Sequence, residues 1–234
     1  MSLEQFHGSY LGEQADIGER FVTRATIALT KELVVDKKIL NLGLGNGKTS
    51  KILDEFVKEQ TVVEGSKKII DLFSFKSHKT TFVESYFENY NTDKKFEVIL
   101  ANHVLEHVND PVELMKAKFS NWLMNDGIIF VTVPNAKSLH RLIGKEMGLL
   151  KCEYDLNNSD REGGHQRVYD ISILKDHIEK AGFEIVDFGG YNIKLVSLMQ
   201  MKDWSQALLD AIFEVSKKMP PDICANIWAT VRKK

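Results

Sequence analysis

The chain has 234 residues, 31 Lys+Arg against 33 Asp+Glu, a formal net charge of −2, and 43% hydrophobic and 27% charged residues. That is the composition of one ordinary globular domain, long enough to fold without disulfide or metal. The balanced charge excludes a general polyanion binder, so no nucleic-acid partner is expected.

In chain order, residues 1–36 read as a partly helical N-terminal extension (IGERFVTRATIALTKEL). KKILNL (37–42) reads as a buried strand, and KTSKILDEFVKE (48–59) as a helix with Ile52, Leu53, Phe56 and Val57 on one face. TVVEG (61–65) is a second strand, SKKIIDLF (66–73) a helix capped by Ser66, TTFVES (80–85) a third strand and FEVILA (96–101) a fourth. PVELMKAKFSNWL (111–123) opens with a helix-starting proline, and GIIFVTVP (127–134) is a fifth strand. ISILKDHIEKAG (171–182) is a helix capped by Asp170, FEIVDFGG (183–190) a sixth strand and ICANIWATV (223–231) a last one. Strand–helix alternation predicts an α/β fold: a mostly parallel sheet with helices on both faces and ligands at the carboxyl ends of its strands. Residues 135–170 form a connection long enough to be a lid. Residues 198–219 form a helical insertion whose stripe of Leu208, Leu209, Ile212, Phe213 and Val215 reads as core. Dimer contact there stays open, so the chain is a monomer or homodimer. Two distant cysteines, Cys152 and Cys224, suggest a reducing compartment. The start MSLEQFHGSY lacks a basic-then-apolar pattern, and no apolar run nears the ~20 residues of a membrane span. The expectation is one cytoplasmic domain over 1–234, off the membrane.

The chemistry begins after the first strand, at NLGLGNGKTS, where Gly43, Gly45 and Gly47 stand between strand and helix. Such a turn lets a ligand approach the backbone at a helix N-terminus. The spacing is neither the dinucleotide G-x-G-x-x-G nor the phosphate loop G-x-x-x-x-G-K-[ST], since Leu42 stands where the latter needs its first glycine. Glu64 closes the second strand, 21 residues after Gly43, where a carboxylate can accept hydrogen bonds from both ribose hydroxyls of a nucleoside.

The ordered set ILNLGLGNG, TVVEGS, TFVESYFENY, FEVILANHVLEHVNDP and GIIFVTVPN resembles the class I S-adenosylmethionine-dependent methyltransferases, over roughly 35–190. The resemblance implies a Rossmann-like seven-stranded sheet with its last strand antiparallel, and S-adenosylmethionine as cofactor. It implies Gly43, Gly45 and Gly47 at the methionine part, and Glu64, with Gly65 and Ser66 beside it, at the ribose. Tyr86 and Phe87 fall in the adenine segment, and Ala101, Asn102 and His103 along the amino-acid end and substrate mouth. Where this family usually opens its first motif with Asp or Glu, this chain has Asn41, which orients the loop without adding charge.

His103, Glu106 and His107 spell H-x-x-E-H, which on a helix could hold zinc for a hydrolase. Asn109-Asp110-Pro111 follows at once and leaves little room for a helix. The favoured reading is therefore local capping and packing for Glu106 and His107, no metal site, and His103 facing the active site. A nucleoside-binding module without catalysis is the other alternative. For the acceptor, GGHQRVYD (163–170) supplies His165 as first candidate for base or acceptor ligand, with Tyr169 and Arg167 next. G-H-x-R-x-Y segments resemble those of methyltransferases in sugar and surface-polysaccharide biosynthesis. The expected acceptor is a small polar molecule of that kind.

Overall fold

The structure, a computed structural model, describes residues 13–234; residues 1–12 of the N-terminal extension lie outside the described part. Its strands are β1 (Lys38–Leu42), β2 (Glu59–Glu64), β3 (Thr80–Glu84), β4 (Phe96–Asn102), β5 (Leu123–Pro134), β6 (Phe183–Tyr191) and β7 (Asn226–Lys233). They form one sheet in the order β3-β2-β1-β4-β5-β7-β6. Pairs β1–β2, β1–β4, β2–β3 and β4–β5 are parallel, and β7 runs antiparallel to both β5 and β6. The chain therefore builds outward from β1 through β2 to β3, then returns to place β4 on the other side of β1. That reversal makes the carboxyl ends of β1 and β4 the topological switch point, where sheets of this kind bind their ligands.

The two-residue period of a strand explains how apolar runs serve both faces. Ile39, Val98, Leu100 and Phe130 point to one face, against Val34, Leu53 and Val57. Their neighbours Leu40, Leu42, Ile99, Ala101, Ile129, Val131 and Val133 point to the other, against Met115, Phe119, Leu174 and Ile178. Each wholly buried Leu or Ile here contributes roughly 1.5–3 kcal/mol of transfer free energy.

Helices α1 (Glu13–Gly18) and α2 (Arg24–Val34) are joined by a π-helical turn, Glu19–Thr23. Helix α3 spans Lys48–Leu53 and α4 Lys67–Phe73, the latter capped by the Ser66 hydroxyl accepting from Ile69 N–H. Helices α5 (Pro111–Leu114) and α6 (Ser120–Trp122) flank a π-helical turn, and Asp110 caps the start ahead of Pro111. Helices α7 (Leu139–Glu146) and α8 (Asn158–Glu162) lie in the 135–170 connection, followed by α9 (Ile171–Lys180), capped by Asp170, and α10 (Gln206–Ser216).

The structure corrects the sequence reading at several points. The helix expected over 48–59 ends at Leu53. Asp36 N–H takes the Phe56 carbonyl and Val57 turns into the core, so this stretch becomes the turn feeding β2. The last strand starts at Asn226 rather than 223, because Pro221–Ile223 closes a 3₁₀ turn whose Pro221 carbonyl accepts from Cys224 N–H. In α10, Leu209 is buried and Ile212 packs beside it, whereas Leu208 and Val215 are exposed. Leu209 joins Ile17, Phe21 and Met201 in one cluster, so the N-terminal extension and the 198–219 insertion form a common cap. Arg20 bonds the Lys202 and Trp204 carbonyls, and Arg24 pairs with Asp210 at 3.0 Å. The cap reaches the glycine turn through Glu19, which meets Asn46 and Lys48. No helix among the described residues is long and apolar enough to cross a membrane.

Candidate active site

The turn after β1 is held from three sides. Gly43, Gly45 and Gly47 have φ values of 84°, 56° and 75°, all left-handed. At Gly47 a Cβ would stand 2.4 Å from the Phe73 carbonyl oxygen, so only glycine fits where α3 starts against the end of α4. A Cβ on Gly43, by contrast, would meet nothing within 4 Å: open space lies over the backbone there. Asn41 is buried, and its amide donates to Ser50 Oγ at 2.9 Å, tying β1 to α3. Glu64 closes the ring. Its carboxylate accepts from Leu44 N–H at 3.0 Å and from Ser66 N–H at 2.9 Å, so it sits against the turn at the carboxyl end of β2.

The remaining residues expected at the cofactor fall around the same edge. Gly65 and Ser66 follow Glu64 directly, with Ser66 buried as the α4 cap. After β3, Tyr86 is exposed, whereas Phe87 is partly buried and packs against the main core. At the end of β4, Ala101 is wholly buried, and both amide atoms of Asn102 are shielded from solvent without a hydrogen-bond partner. An inaccessible, unsatisfied amide is costly unless something absent here completes it. Gly43, with open space over its backbone, and Asn102, with its unsatisfied amide, stand at the carboxyl ends of the neighbouring strands β1 and β4.

Beyond Asn102 the chain turns sharply, with His103 at φ 54°. The 103–110 stretch consists of turns, so the two histidines of H-x-x-E-H do not share a helical face. Instead, His103 Nδ1 lies 3.1 Å from Glu106 Oε1 and its Nε2 3.1 Å from Tyr191 Oη. Glu106 is wholly buried, with Oε2 lacking a partner. Burial alone would raise its carboxyl pKa; the His103 hydrogen bond and the charges of His103, His107 and His165 outweigh that and hold it below the usual range. Burial pushes His107 down and Tyr191 up to about 12. His165 stands edge-on to His107 at 4.8 Å between ring centroids, with Nδ1 3.2 Å from Asp160 Oδ1. Its burial opposes protonation, but Asp160 and Glu106 prevail and raise its pKa.

Two candidates of the 163–170 run have packing positions. Tyr169 is wholly buried, its hydroxyl 3.3 Å from both the Leu105 carbonyl and His177 Nδ1, and burial drives its pKa upward. A phenol so placed does not suit a proton carrier. Arg167 donates to the Leu105, Val108 and Asn109 carbonyls, and Gln166 N–H to the Glu106 carbonyl. Together they clasp the 103–110 turn and set His165 over Glu106. Behind His165, buried Arg141 ties Asp160 at 3.0 Å to the Glu153 and Asp155 carbonyls. Two further groups stand by this cluster: His140, pushed down to about 2 by burial, with Nδ1 unsatisfied, and Lys194, lowered to about 8 chiefly by burial. The sequence reading did not single out Tyr191, Asp160 or Lys194. Asn157 and Asp160 do carry a legible capping-box spacing, confirmed by reciprocal bonds, but nothing local marks Tyr191 or Lys194.

A sheet of this order, with a left-handed glycine turn after its first strand and a carboxylate closing the second, defines the class I methyltransferase architecture. A family model described as "Methyltransferase domain" matches residues 14–187, and the chain belongs to that family, whose methyl donor is S-adenosylmethionine. Among curated proteins it is 30% identical over 102 residues to the ubiquinone biosynthesis O-methyltransferase of Pelagibacter ubique (strain HTCC1062), a match covering 42% of each chain. It is 22% identical over 143 residues to the (S)-coclaurine N-methyltransferase of Papaver somniferum, covering 56% of this chain and 39% of the relative. The matches thus span about two fifths of the curated relatives' length. Among solved structures, an S-adenosylmethionine-dependent methyltransferase from Thermotoga maritima superposes with a TM-score of 0.67 at 20% identity, covering 99% of this chain and 98% of that one.

Proposed function

We propose that this chain transfers the methyl group of S-adenosylmethionine to a hydroxyl of a small polar molecule, with a sugar or surface-polysaccharide precursor as the preferred class. The reading rests on one observation above all. The carboxyl edge that carries the glycine turn and Glu64 continues, at the end of β4, into a polar cluster of His103, Glu106, Tyr191 and His165. The supporting argument is chemical. The donor needs backbone approach at Gly43, Gly45 and Gly47, and a carboxylate for its ribose at Glu64, whose oxygens each accept more than one hydrogen bond. Tyr86 stands exposed where the adenine would lie, and Asn41, Gly65, Ser66, Phe87 and Ala101 shape the edge around it. Asn102, with its unsatisfied amide, is the residue that the donor's amino-acid end completes.

In the reaction the acceptor oxygen attacks the methyl carbon in line with the breaking C–S bond, the sulfonium leaves as a neutral thioether, and the hydroxyl proton must go to a base. The protein's part is alignment, exclusion of water and proton removal. His165 is the residue we assign to the acceptor proton; its side chain is 18% exposed, which leaves it reachable. His103 at 26% is the second histidine of the mouth. The zinc-hydrolase alternative required a 103–107 helix that the chain does not form. The test is a screen with methyl-labelled S-adenosylmethionine across sugars, nucleotide sugars, phenols and amines, read as labelled product and S-adenosylhomocysteine. Label appearing only on amine acceptors would overturn the hydroxyl reading. Titration of S-adenosylhomocysteine without heat would overturn the donor assignment itself.

A further inference from the structure

We infer that Glu106, His107 and His165 form a binding site for a divalent first-row transition ion, such as Zn²⁺, Co²⁺ or Mn²⁺, at the acceptor mouth. The inference deepens the hydroxyl-transfer reading above, rests on it only for what the ion would do, and replaces the role given there to His165: with an ion bound, that imidazole is a ligand and solvent takes the acceptor proton.

One donor atom from each of these residues lies within 4.8 Å of the other two. A tetrahedral ion with bonds of about 2.1 Å keeps its donors about 3.4 Å apart, so the three need draw together by little more than ~1 Å. Two observations independent of that spacing point to a ligand. Glu106 is wholly buried, one carboxylate oxygen is spent on His103, and the other, Oε2, has no partner at all. A buried carboxylate oxygen left unsatisfied is expensive, and a cation is what most directly answers it. Each imidazole also has an acceptor behind it, as metal-bound histidines do. The Gly164 carbonyl hydrogen-bonds the His107 ring, and Asp160, itself held by Arg141, backs His165. The clasp of Gln166 and Arg167 on the 103–110 turn joins the two segments that supply the donors. Two imidazoles and one carboxylate favour a transition ion over Mg²⁺ or Ca²⁺, and three protein donors leave a position for an outside ligand. That position suits an acceptor hydroxyl: an oxygen bound to the ion loses its proton at a lower pH, the proton leaves to solvent, and the resulting oxyanion attacks the methyl carbon.

The experiment uses the full chain, stripped with chelator and titrated with Co²⁺ and Zn²⁺ separately. Co²⁺ gives visible d–d bands on entering an imidazole–carboxylate site, and Zn²⁺ binding is read by competition with a chromophoric chelator. One equivalent per chain is expected, with the Co²⁺ bands of the site lost when Zn²⁺ displaces it. His165→Gln, at a partly accessible position, should weaken both ions by about 100-fold or more, and Glu106→Gln likewise if it folds. S-adenosylhomocysteine binding is measured on the same samples and should not change. Absence of a stoichiometric ion in the wild-type chain overturns the site, as does His165→Gln binding with native affinity. Loss of turnover in His165→Gln without any metal binding by the parent would make His165 a simple base. If S-adenosylhomocysteine still binds in either case, the methyltransferase reading stands and only the metal site falls.

Discussion

Substituting Gly43 and Gly47 separately by alanine discriminates between two jobs that glycines in one turn perform. Both positions are left-handed, at φ 84° and 75°, and a side chain in that region costs roughly 1–2 kcal/mol. For a domain of this size that lowers Tm by about 2–4 °C per kcal/mol. Beyond this shared cost the two sites part. The Cβ of Gly47→Ala would sit 2.4 Å from the Phe73 carbonyl oxygen, a backbone atom at the end of α4 that cannot swing away. Either α4 or the start of α3 must shift, with a further loss of about 1–3 kcal/mol, as in overpacked cores. The Cβ of Gly43→Ala meets no protein atom within 4 Å, so the fold bears only the conformational cost, but the methyl enters the space assigned to the donor. Gly43→Ala should thus lose only the conformational cost of roughly 1–2 kcal/mol in stability, together with S-adenosylhomocysteine affinity, whereas Gly47→Ala should be the less stable of the two. Thermal unfolding with calorimetric titration of the same preparations decides it. Equal stability of the two variants would refute the clash at Phe73, and native affinity in Gly43→Ala would refute the placement of the donor over that backbone.

Glu64→Gln should weaken S-adenosylhomocysteine binding by roughly 1.5–3 kcal/mol, because the amide keeps one acceptor but turns an N–H₂ toward a backbone donor at Leu44 or Ser66; titration at constant ionic strength measures it. Tyr169→Phe should leave kcat within about threefold of wild type, since the buried hydroxyl is engaged by the Leu105 carbonyl and His177; a drop of 10² or more in steady-state assays would return Tyr169 to the reaction. Arg167→Ala removes the donor of several carbonyl bonds to the 105–109 turn and should cost about 1–3 kcal/mol, seen as a lower urea midpoint. Lys194 carries a pH signature. Its folded pKa, about 8, lies below the ordinary value of 10.5, so the folded chain releases this proton first. Below pH ~8 both states are protonated and the cost of the half-buried ammonium is fully present. Between ~8 and 10.5 the unfolded chain holds the extra proton, and stability rises with pH. Lys194→Met should abolish that rise when wild type and variant are compared by denaturant unfolding across the window.

The sheet was legible because its strands carry their own boundaries. The apolar runs of β1, β4 and β5 are buried on both faces and cannot be read as anything amphipathic. Ser66 and Asp170 each announced a helix by residue type, and each accepts the expected backbone N–H; Pro111 announced another, whose cap is Asp110. The misread stretch, 54–59, shows the limit of spacing. Phe56 and Val57 fit a helical face as well as they fit a turn, and only the Asp36 N–H that takes the Phe56 carbonyl ends the helix. The glycine turn and the carboxylate closing β2 were similarly open to reading, because glycine spacing and a strand-end carboxylate are local features. The acceptor side was not. Glu106 looked like a residue in a capped turn, and nothing in its sequence neighbours discloses that His165, 59 positions later, closes over it. Tyr191 reaches His103 across 88 positions because the last strands fold back on the sheet edge.

That division has a physical cause that bears on what this chain acts on. The turn proposed to hold the donor has a backbone geometry that leaves little choice of residue: Gly47 is excluded from change by Phe73, and Glu64 by the two N–H groups it accepts. The proposed acceptor mouth, by contrast, is assembled from loops after three different strands, with His103 and Glu106 following β4, His165 within the connection after β5, and Lys194 just beyond β6. Each loop is anchored by groups committed to hydrogen bonds within the fold: Arg167 on the 105–109 carbonyls, Arg141 on Asp160, and Asn192, two residues before Lys194, whose amide donates to the Phe21 carbonyl at 2.6 Å. Exchange of the few side chains at the mouth would therefore change the acceptor without disturbing either the sheet or the donor turn. Specificity in this chain should accordingly respond to substitutions at His140, His165 and Lys194 while donor affinity stays constant. A set of such variants whose affinities for S-adenosylhomocysteine fell in step with their turnover would refute the separation, since it would place those side chains against the donor instead.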